Sequence, residues 1–367
     1  MRQKINKQFL ISVVILVISG LVIFSSASLG LLTRDGARFS SVAFNQIVFG
    51  LLLGILAMLI SIAIPYRYWR KYAFYIFLLS VFLTLAVYIP GIGFEYGGAK
   101  RWIHLGDFSF QPSEFLKIGF IIYLAAWLSG IKSRITSIRY AVIPFAVILG
   151  LAGLILLSEP DTDNFFILAL TGIAMFFSAG ARLKHIALIV LISAVGFAAF
   201  AYTKPYIITR ITTFFDSSRD IQGASWQIQQ SYIAIGSGGF NGRGFGQSVQ
   251  KFNYLPEPMG DSVFAVQAEE FGFLGSVSLV ALFLFFFWSG LKIAENSPDL
   301  FSGLLAFGIV ILITAQSFIN IASMLGVFPL SGIPLPFISQ GGTALFVALA
   351  EAGIVLNISK YSRKRGS

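Results

Sequence analysis

The sequence predicts an all-α polytopic integral membrane protein of about ten transmembrane helices, with one large polar loop on a single face. Three observations carry this. The 367-residue chain is 56% hydrophobic and only 11% charged, with mean hydropathy +0.83, whereas a soluble domain carries about a quarter charged residues. Its apolar runs are continuous and reach the about 17–25 residues that cross a bilayer as a helix, instead of alternating with period two as in a membrane barrel. Basic residues gather in alternate loops, as in a chain threaded back and forth through a membrane.

The spans are read at about 9–31, 41–65, 72–89, 113–130, 140–157, 164–180, 186–203, 263–291, 301–327 and 341–357. The first follows Arg2, Lys4 and Lys7. Its basic start and Ser25-Ser26-Ala27-Ser28 also describe a cleavable signal peptide, but the apolar run continues through Leu32, which favours a retained span. Arg67, Arg70 and Lys71 separate the second from the third. Residues 90–112 are dense in glycine and proline, a shaped turn region rather than a linker. The fourth span opens with Glu114 and Lys117, three apart on one helical face. A mutual ion pair that eases insertion and a functional role both stay open for them. The fifth closes at Glu159-Pro160-Asp161-Thr162-Asp163. Pro160 stops the helix, and Asp163 or Asn164 is expected to cap the next one. Asp161 is left open as an oxygen ligand for a divalent metal. The eighth span is long enough to tilt or project. Of its Glu269 and Glu270, one is expected to pair internally and the other to face a wet cavity. Glu351 in the last span has no assignable partner.

Sixteen basic residues, including those at both termini, fall on one side and nine on the other. The richer side marks the cytoplasm, so both termini are cytoplasmic and the insert at about 204–262 faces outward. The net charge of +10 follows mostly from this bias. The basic residues are scattered over short loops, which argues against nucleic acid as a partner. The absence of cysteine excludes disulfides and thiolate chemistry.

The insert is where chemistry is expected. It carries Gly236-Ser237-Gly238-Gly239 and Gly242-Arg243-Gly244-Phe245-Gly246, then Tyr254-Leu255-Pro256-Glu257-Pro258-Met259-Gly260-Asp261. Asp261 could serve only as an N-cap, but the stiff Leu255–Pro258 run delivers it to the membrane surface beside intramembrane carboxylates. Arg101, Arg210, Arg219, Arg243 and Lys251 form a positive outer face suited to phosphate. A second shaped segment, 328–343, lies on the same side and contains Pro334-Leu335-Pro336-Phe337-Ile338-Ser339.

These motifs together resemble the SEDS family, the group of RodA, FtsW and SpoVE, over essentially the whole chain. The likeness rests on Ser25–Ser28, Gly98–Ile103, Phe108–Lys117, Glu159-Pro160-Asp161, Gln230-Ser231 with Ala234–Gly239, Tyr254–Glu257 and Pro334–Ser339. The Gln250–Pro258 stretch is closer to the FtsW and SpoVE branch. The resemblance implies a peptidoglycan glycosyltransferase of the bacterial cytoplasmic membrane, polymerising lipid II during division or elongation, with a class B penicillin-binding protein and membrane lipid as partners. It implies Asp261 as the essential loop carboxylate and general base. The family's Glu and Lys after the QPS motif correspond to Glu114 and Lys117 here, and Arg101, Arg210, Glu257, Gln230 and Ser231 are further candidates for substrate binding. A divalent cation, Mg2+ or Mn2+, held by Asp261 or Asp161 is a further expectation, with no organic cofactor. The chain departs from the usual family pattern at Gly260 and Ser262 around the aspartate, at Asp163-Asn164 where Gly-Thr is usual, and at Gln340 where Tyr is usual. A lipid II flippase, with Glu114, Lys117, Glu269 and Glu270 lining a polar path, is the alternative.

Overall fold

The computed structural model describes residues 4–32, 36–96, 99–105, 108–215, 224–252 and 254–362. Gly97, Gly98 and Arg219 lie outside the described residues. Among those described, nine helices are long and apolar enough to cross a membrane, and a shorter apolar helix makes a tenth. In chain order the helices are α1 (Lys7–Leu32), α2 (Phe39–Ala63), α3 (Tyr66–Tyr88), α4 (Pro112–Gly130), α5 (Ile138–Ser158), α6 (Thr162–Ser178), α7 (Leu183–Thr203), α8 (Pro205–Phe215), α9 (Ala224–Gly238), α10 (Val263–Glu295), α11 (Leu300–Met324) and α12 (Gly342–Ser359). The all-α membrane architecture is therefore as the sequence predicts, with α8 and α9 lying inside the polar insert.

The helices with the most buried faces are α4, α11 and α12, and they form the centre of the bundle. α1 belongs to this core through Phe9, Val13 and Leu16, all buried. α2 is π-wound over Asn45–Leu53, and Gly54 in the same helix leaves no room for a Cβ against Leu349 of α12. Isoleucines, leucines, alanines and phenylalanines fill the interior, and α2, α3 and α7 turn most of their apolar surface outward, as lipid-facing helices do.

Both chain ends meet at one end of the bundle. The Asn6 amide donates to Ser359 Oγ at 3.1 Å, Lys360 Nζ donates to the Ile62 carbonyl at 3.0 Å, and the Tyr66 hydroxyl donates to Asp299 Oδ2 at 2.7 Å. The opposite end holds the α5–α6 turn, the insert, the segment after α11, and a small antiparallel sheet that the sequence reading did not foresee. Its strands are β1 (Gly93–Tyr96), β2 (Ala99–Leu105) and β3 (Phe108–Phe110), in the order β1-β2-β3, with Gly93 opposite Ile103 and Ile103 opposite Phe110.

The extra length of α10 resolves into a kink rather than a projection. Gly272 has φ +66°, and a Cβ there would strike the Gly242 nitrogen. Only glycine combines that backbone with so close an approach. The short segment before the kink is buried throughout from Val263 to Glu270, and it begins two residues after Asp261.

Candidate active site

Asp261 sits on a turn held by the segment that follows α11. The turn closes when the Glu257 carbonyl accepts from the Gly260 and Ser262 amides, both at 3.1 Å. Glu257 adopts φ +45° in this turn, and its side chain is exposed. Asn320 of α11 then donates from Nδ2 to the carbonyls of Asp261 and Ile333, both at 2.8 Å. Ser339 donates to the Gly260 carbonyl at 2.7 Å, and the Gln340 amide donates to the Met259 carbonyl at 2.7 Å. Gln46 reinforces the clamp by accepting from the Gly341 amide at 2.9 Å. Every one of these bonds grips backbone, so the Asp261 carboxylate is left for the site. Asn320 and Gln46 were missed in the sequence, where they read as isolated polar residues in apolar spans. A polar amide in such a span was the available signal.

Three further groups converge on that carboxylate. Asp163 Oδ2 accepts from Arg210 Nη1 and from the Gly332 amide, each at 2.9 Å. A point one bond from the Gly332 Cα lies 3.6 Å from Asp261 Oδ2, 3.6 Å from Asp163 Oδ2 and 3.9 Å from Arg210 Nη2. Gly332 is exposed, so the site opens to its surroundings there. Burial pushes the Asp261 carboxyl up to about 7; the charges of Glu257 and Asp163 push the same way, against Arg210 and Arg101.

The structure corrects the reading of the Asp161–Asp163 pair. α6 starts at Thr162, so the capping position falls on Asp161, which is buried and accepts from Asn164 Nδ2 at 2.8 Å. It is Asp163, not Asp161, that faces Asp261. Arg101 donates from Nε to the Glu159 carbonyl at 3.0 Å and from Nη2 to the Pro160 carbonyl, bracing the turn from which α6 springs. Burial first, and then the Asp161 charge, raises the Glu159 carboxyl to about 9.

The remaining candidates lie apart from this cluster. Glu114 and Lys117 form a buried ion pair at 2.8 Å, and Lys117 also donates to Gln316 Oε1 at 3.0 Å. Gln316 in turn donates to the Pro334 carbonyl at 3.0 Å, which links the pair to the segment clamping Asp261. Glu351 has buried neighbours of charge after all: Lys117 and Glu114. Gln230 and Ser231 are buried on α9, and Ser231 donates to the Gln227 carbonyl and to Met324 Sδ. The α9 side chain that reaches the Asp261 turn is Gln227, which donates to Ser262 Oγ at 2.9 Å.

Neither Glu269 nor Glu270 faces a wet cavity. Glu270 accepts from Lys251 at 2.7 Å and Ser26 at 2.6 Å; Glu269 accepts from Ser248 Oγ at 2.6 Å and from the Val249 and Gln250 amides. Lys251 is thereby buried and removed from the outer cations, and Arg243 lies 3.5 Å from Glu269. Among the described residues no three acidic or histidine side chains cluster as metal ligands. The Asp261 and Asp163 carboxylates at the site have the Arg210 guanidinium beside them.

Fold and site thus define a polytopic helical membrane protein that presents a clamped carboxylate beside an arginine at one end of its bundle. The chain belongs to the FtsW, RodA and SpoVE family of cell cycle proteins, whose model matches residues 6–364. It is 41% identical over 311 residues to stage V sporulation protein E of Bacillus subtilis (strain 168), covering 85% of each chain. It is 37% identical over 361 residues to a probable peptidoglycan glycosyltransferase FtsW of Geobacter sp. (strain M18), covering 98% of this chain and 97% of the relative. Among solved structures it resembles a chain described under the structural coordination of polymerization and crosslinking by a peptidoglycan synthase complex, with TM-score 0.78, 25% identity, and 97% and 98% of the two chains covered. The crystal structure of the rod shape determining protein RodA of Thermus thermophilus gives TM-score 0.69 at 25% identity, covering 96% and 95%.

Proposed function

We propose that this chain is a peptidoglycan glycosyltransferase that polymerises lipid II at the outer face of the bacterial cytoplasmic membrane, with Asp261 as general base. The observation that carries the assignment is the Asp261 carboxylate. Its backbone is clamped, its side chain faces Arg210 and Asp163, and burial pushes its carboxyl up to about 7. The full-length likeness to probable peptidoglycan glycosyltransferases supports the same chemistry.

In this reading the 4-hydroxyl of an acceptor sugar gives its proton to Asp261 while its oxygen forms a bond to the anomeric carbon of the donor. The bond from that carbon to pyrophosphate breaks, and its electron pair leaves with undecaprenyl pyrophosphate. Direct displacement inverts the linkage from α to β. Pyrophosphate departs readily, so one base suffices, unlike the two carboxylates of a glycosidase. Arg210 stabilises the leaving charge where it develops. Mg2+ binds through one or two carboxylates plus substrate phosphates, so a divalent ion would arrive with the pyrophosphate and offset its charge. The prenyl tails stay in the lipid around the bundle. The excess of basic residues at the termini end supports a cytoplasmic position for that end and an outer one for the Asp261 end. A class B penicillin-binding protein is the proposed partner, by likeness to the synthase complex.

The flippase alternative loses its polar path, because Glu269 and Glu270 are bonded to the loop and Glu114 is paired with Lys117. The test is gel analysis of products from purified protein, lipid II and a class B partner, with and without a chelator. Glycan strands are expected. Lipid II translocation into liposomes with no glycan formed would overturn the assignment.

A further inference from the structure

Asp163 joins three separate elements. It lies in the first turn of α6, at the positive end of the helix dipole. Through one oxygen it holds Arg210 of α8 and the Gly332 amide of the segment after α11, beside Asp261. We propose that Asp163 is a positioning residue that fixes the Arg210 guanidinium beside Asp261, ready for the pyrophosphate of a prenyl-linked substrate. The proposal rests on the glycosyltransferase reading and adds a residue to it.

The geometry favours positioning over mere stabilisation. The pair is partly exposed, with side chains 33% and 21% accessible, and ion pairs in such settings contribute little to stability. Arginine has many rotamers, and ordering them only when substrate arrives weakens binding. Asp163 engages Nη1 and leaves Nη2 directed at the point shared with Asp261 Oδ2. A guanidinium held by one nitrogen keeps donors for two phosphate oxygens, the bidentate geometry that suits arginine. The Gly332 amide on the same oxygen limits the carboxylate's own rotation, so the arginine inherits a fixed origin.

The test is a double-mutant cycle on the full-length protein with its class B partner, using Asp163→Asn, Arg210→Ala, the double variant and Asp163→Glu. Three quantities are read: kcat/KM on lipid II, the Kd for undecaprenyl pyrophosphate in nanodiscs, and Tm. Asp163→Asn should lose about tenfold in both kcat/KM and affinity, and Arg210→Ala about a hundredfold, with the double variant no worse than Arg210→Ala alone. Asp163→Glu should recover most of the loss, and every Tm should stay within about 2 °C of the parent. Wild-type behaviour of Asp163→Asn, or losses that multiply in the double variant, would overturn the proposal. Should the parent make no glycan while the affinity cycle behaves as stated, the glycosyltransferase reading fails and the positioning role stands.

Discussion

Two carboxylate clusters sit at the same end of this bundle in opposite bonding states. Glu269 and Glu270 are fully buried and saturated: a lysine, two serine hydroxyls and backbone amides occupy their oxygens. Among the described residues Asp261 is held through its backbone, and its carboxylate faces an arginine and a second carboxylate near an exposed glycine. The first cluster folds the 243–251 segment onto α1 and α10; the second is kept available. The acidic residues of the first cluster are spent on folding the loop, and that of the second faces the site. A saturated carboxylate is a staple.

The contrast can be broken at either cluster. At the staple, Glu270→Ala would strand the buried Lys251, and removing one partner of such a pair costs about 3–5 kcal/mol. A large fall in thermal stability is expected, measured by the Tm of purified protein in detergent. An unchanged Tm would place Glu270 in the functional class. At the site, Gly332→Ala adds a methyl 3.6 Å from both aspartates, an ordinary contact distance that crowds the reacting space without straining the fold. Activity should drop by about tenfold, the order of a small displacement of reacting groups, with Tm unaltered. Equal losses of activity and Tm would mean that the glycine is structural.

Acidity sharpens the contrast further. The Asp261 carboxyl is raised to about 7, so it gains a proton as pH falls through that value. The base form is present above it and lost below, so kcat/KM should be level above about pH 7 and fall about tenfold per unit beneath it. A profile flat down to pH 5 would remove Asp261 from proton transfer. The smallest effect is expected at Glu159, whose carboxyl at about 9 is already neutral at physiological pH. Glu159→Gln keeps that neutrality and shape, so rate should change by no more than about twofold. A tenfold loss would show that its charge matters.

The spans were legible because continuous apolar runs and alternating loop charge are local signals, and α3 to α7 and α10 to α12 fall where those signals lie. The short strands of the 93–110 sheet were hidden by glycine, which reads as turn. α9 was hidden likewise, since its fifteen residues include Gly236 and Gly238. At the site, Asp261 was legible from its stiff proline-flanked approach. Asp163 read as a helix cap because Pro160 stops one helix just before it and the next begins there; its partners Arg210 and Gly332 lie 47 and 169 residues away. The staple was invisible for the same reason, with Ser26 and Glu270 separated by 244 residues. Which carboxylates are spent is a property of the folded chain, and local sequence carries no record of it.

The Asp261 carboxylate is the group expected to take the proton. The direct measurement is the single-turnover rate of glycan formation from lipid II by purified Asp261→Asn protein with its class B partner, beside the parent. Asparagine keeps the shape and the backbone clamp but cannot serve as a base. A rate lower by at least about a hundredfold at unchanged Tm is the predicted result, in keeping with the contribution of a general base. Polymerisation by Asp261→Asn at the parent's rate would contradict it.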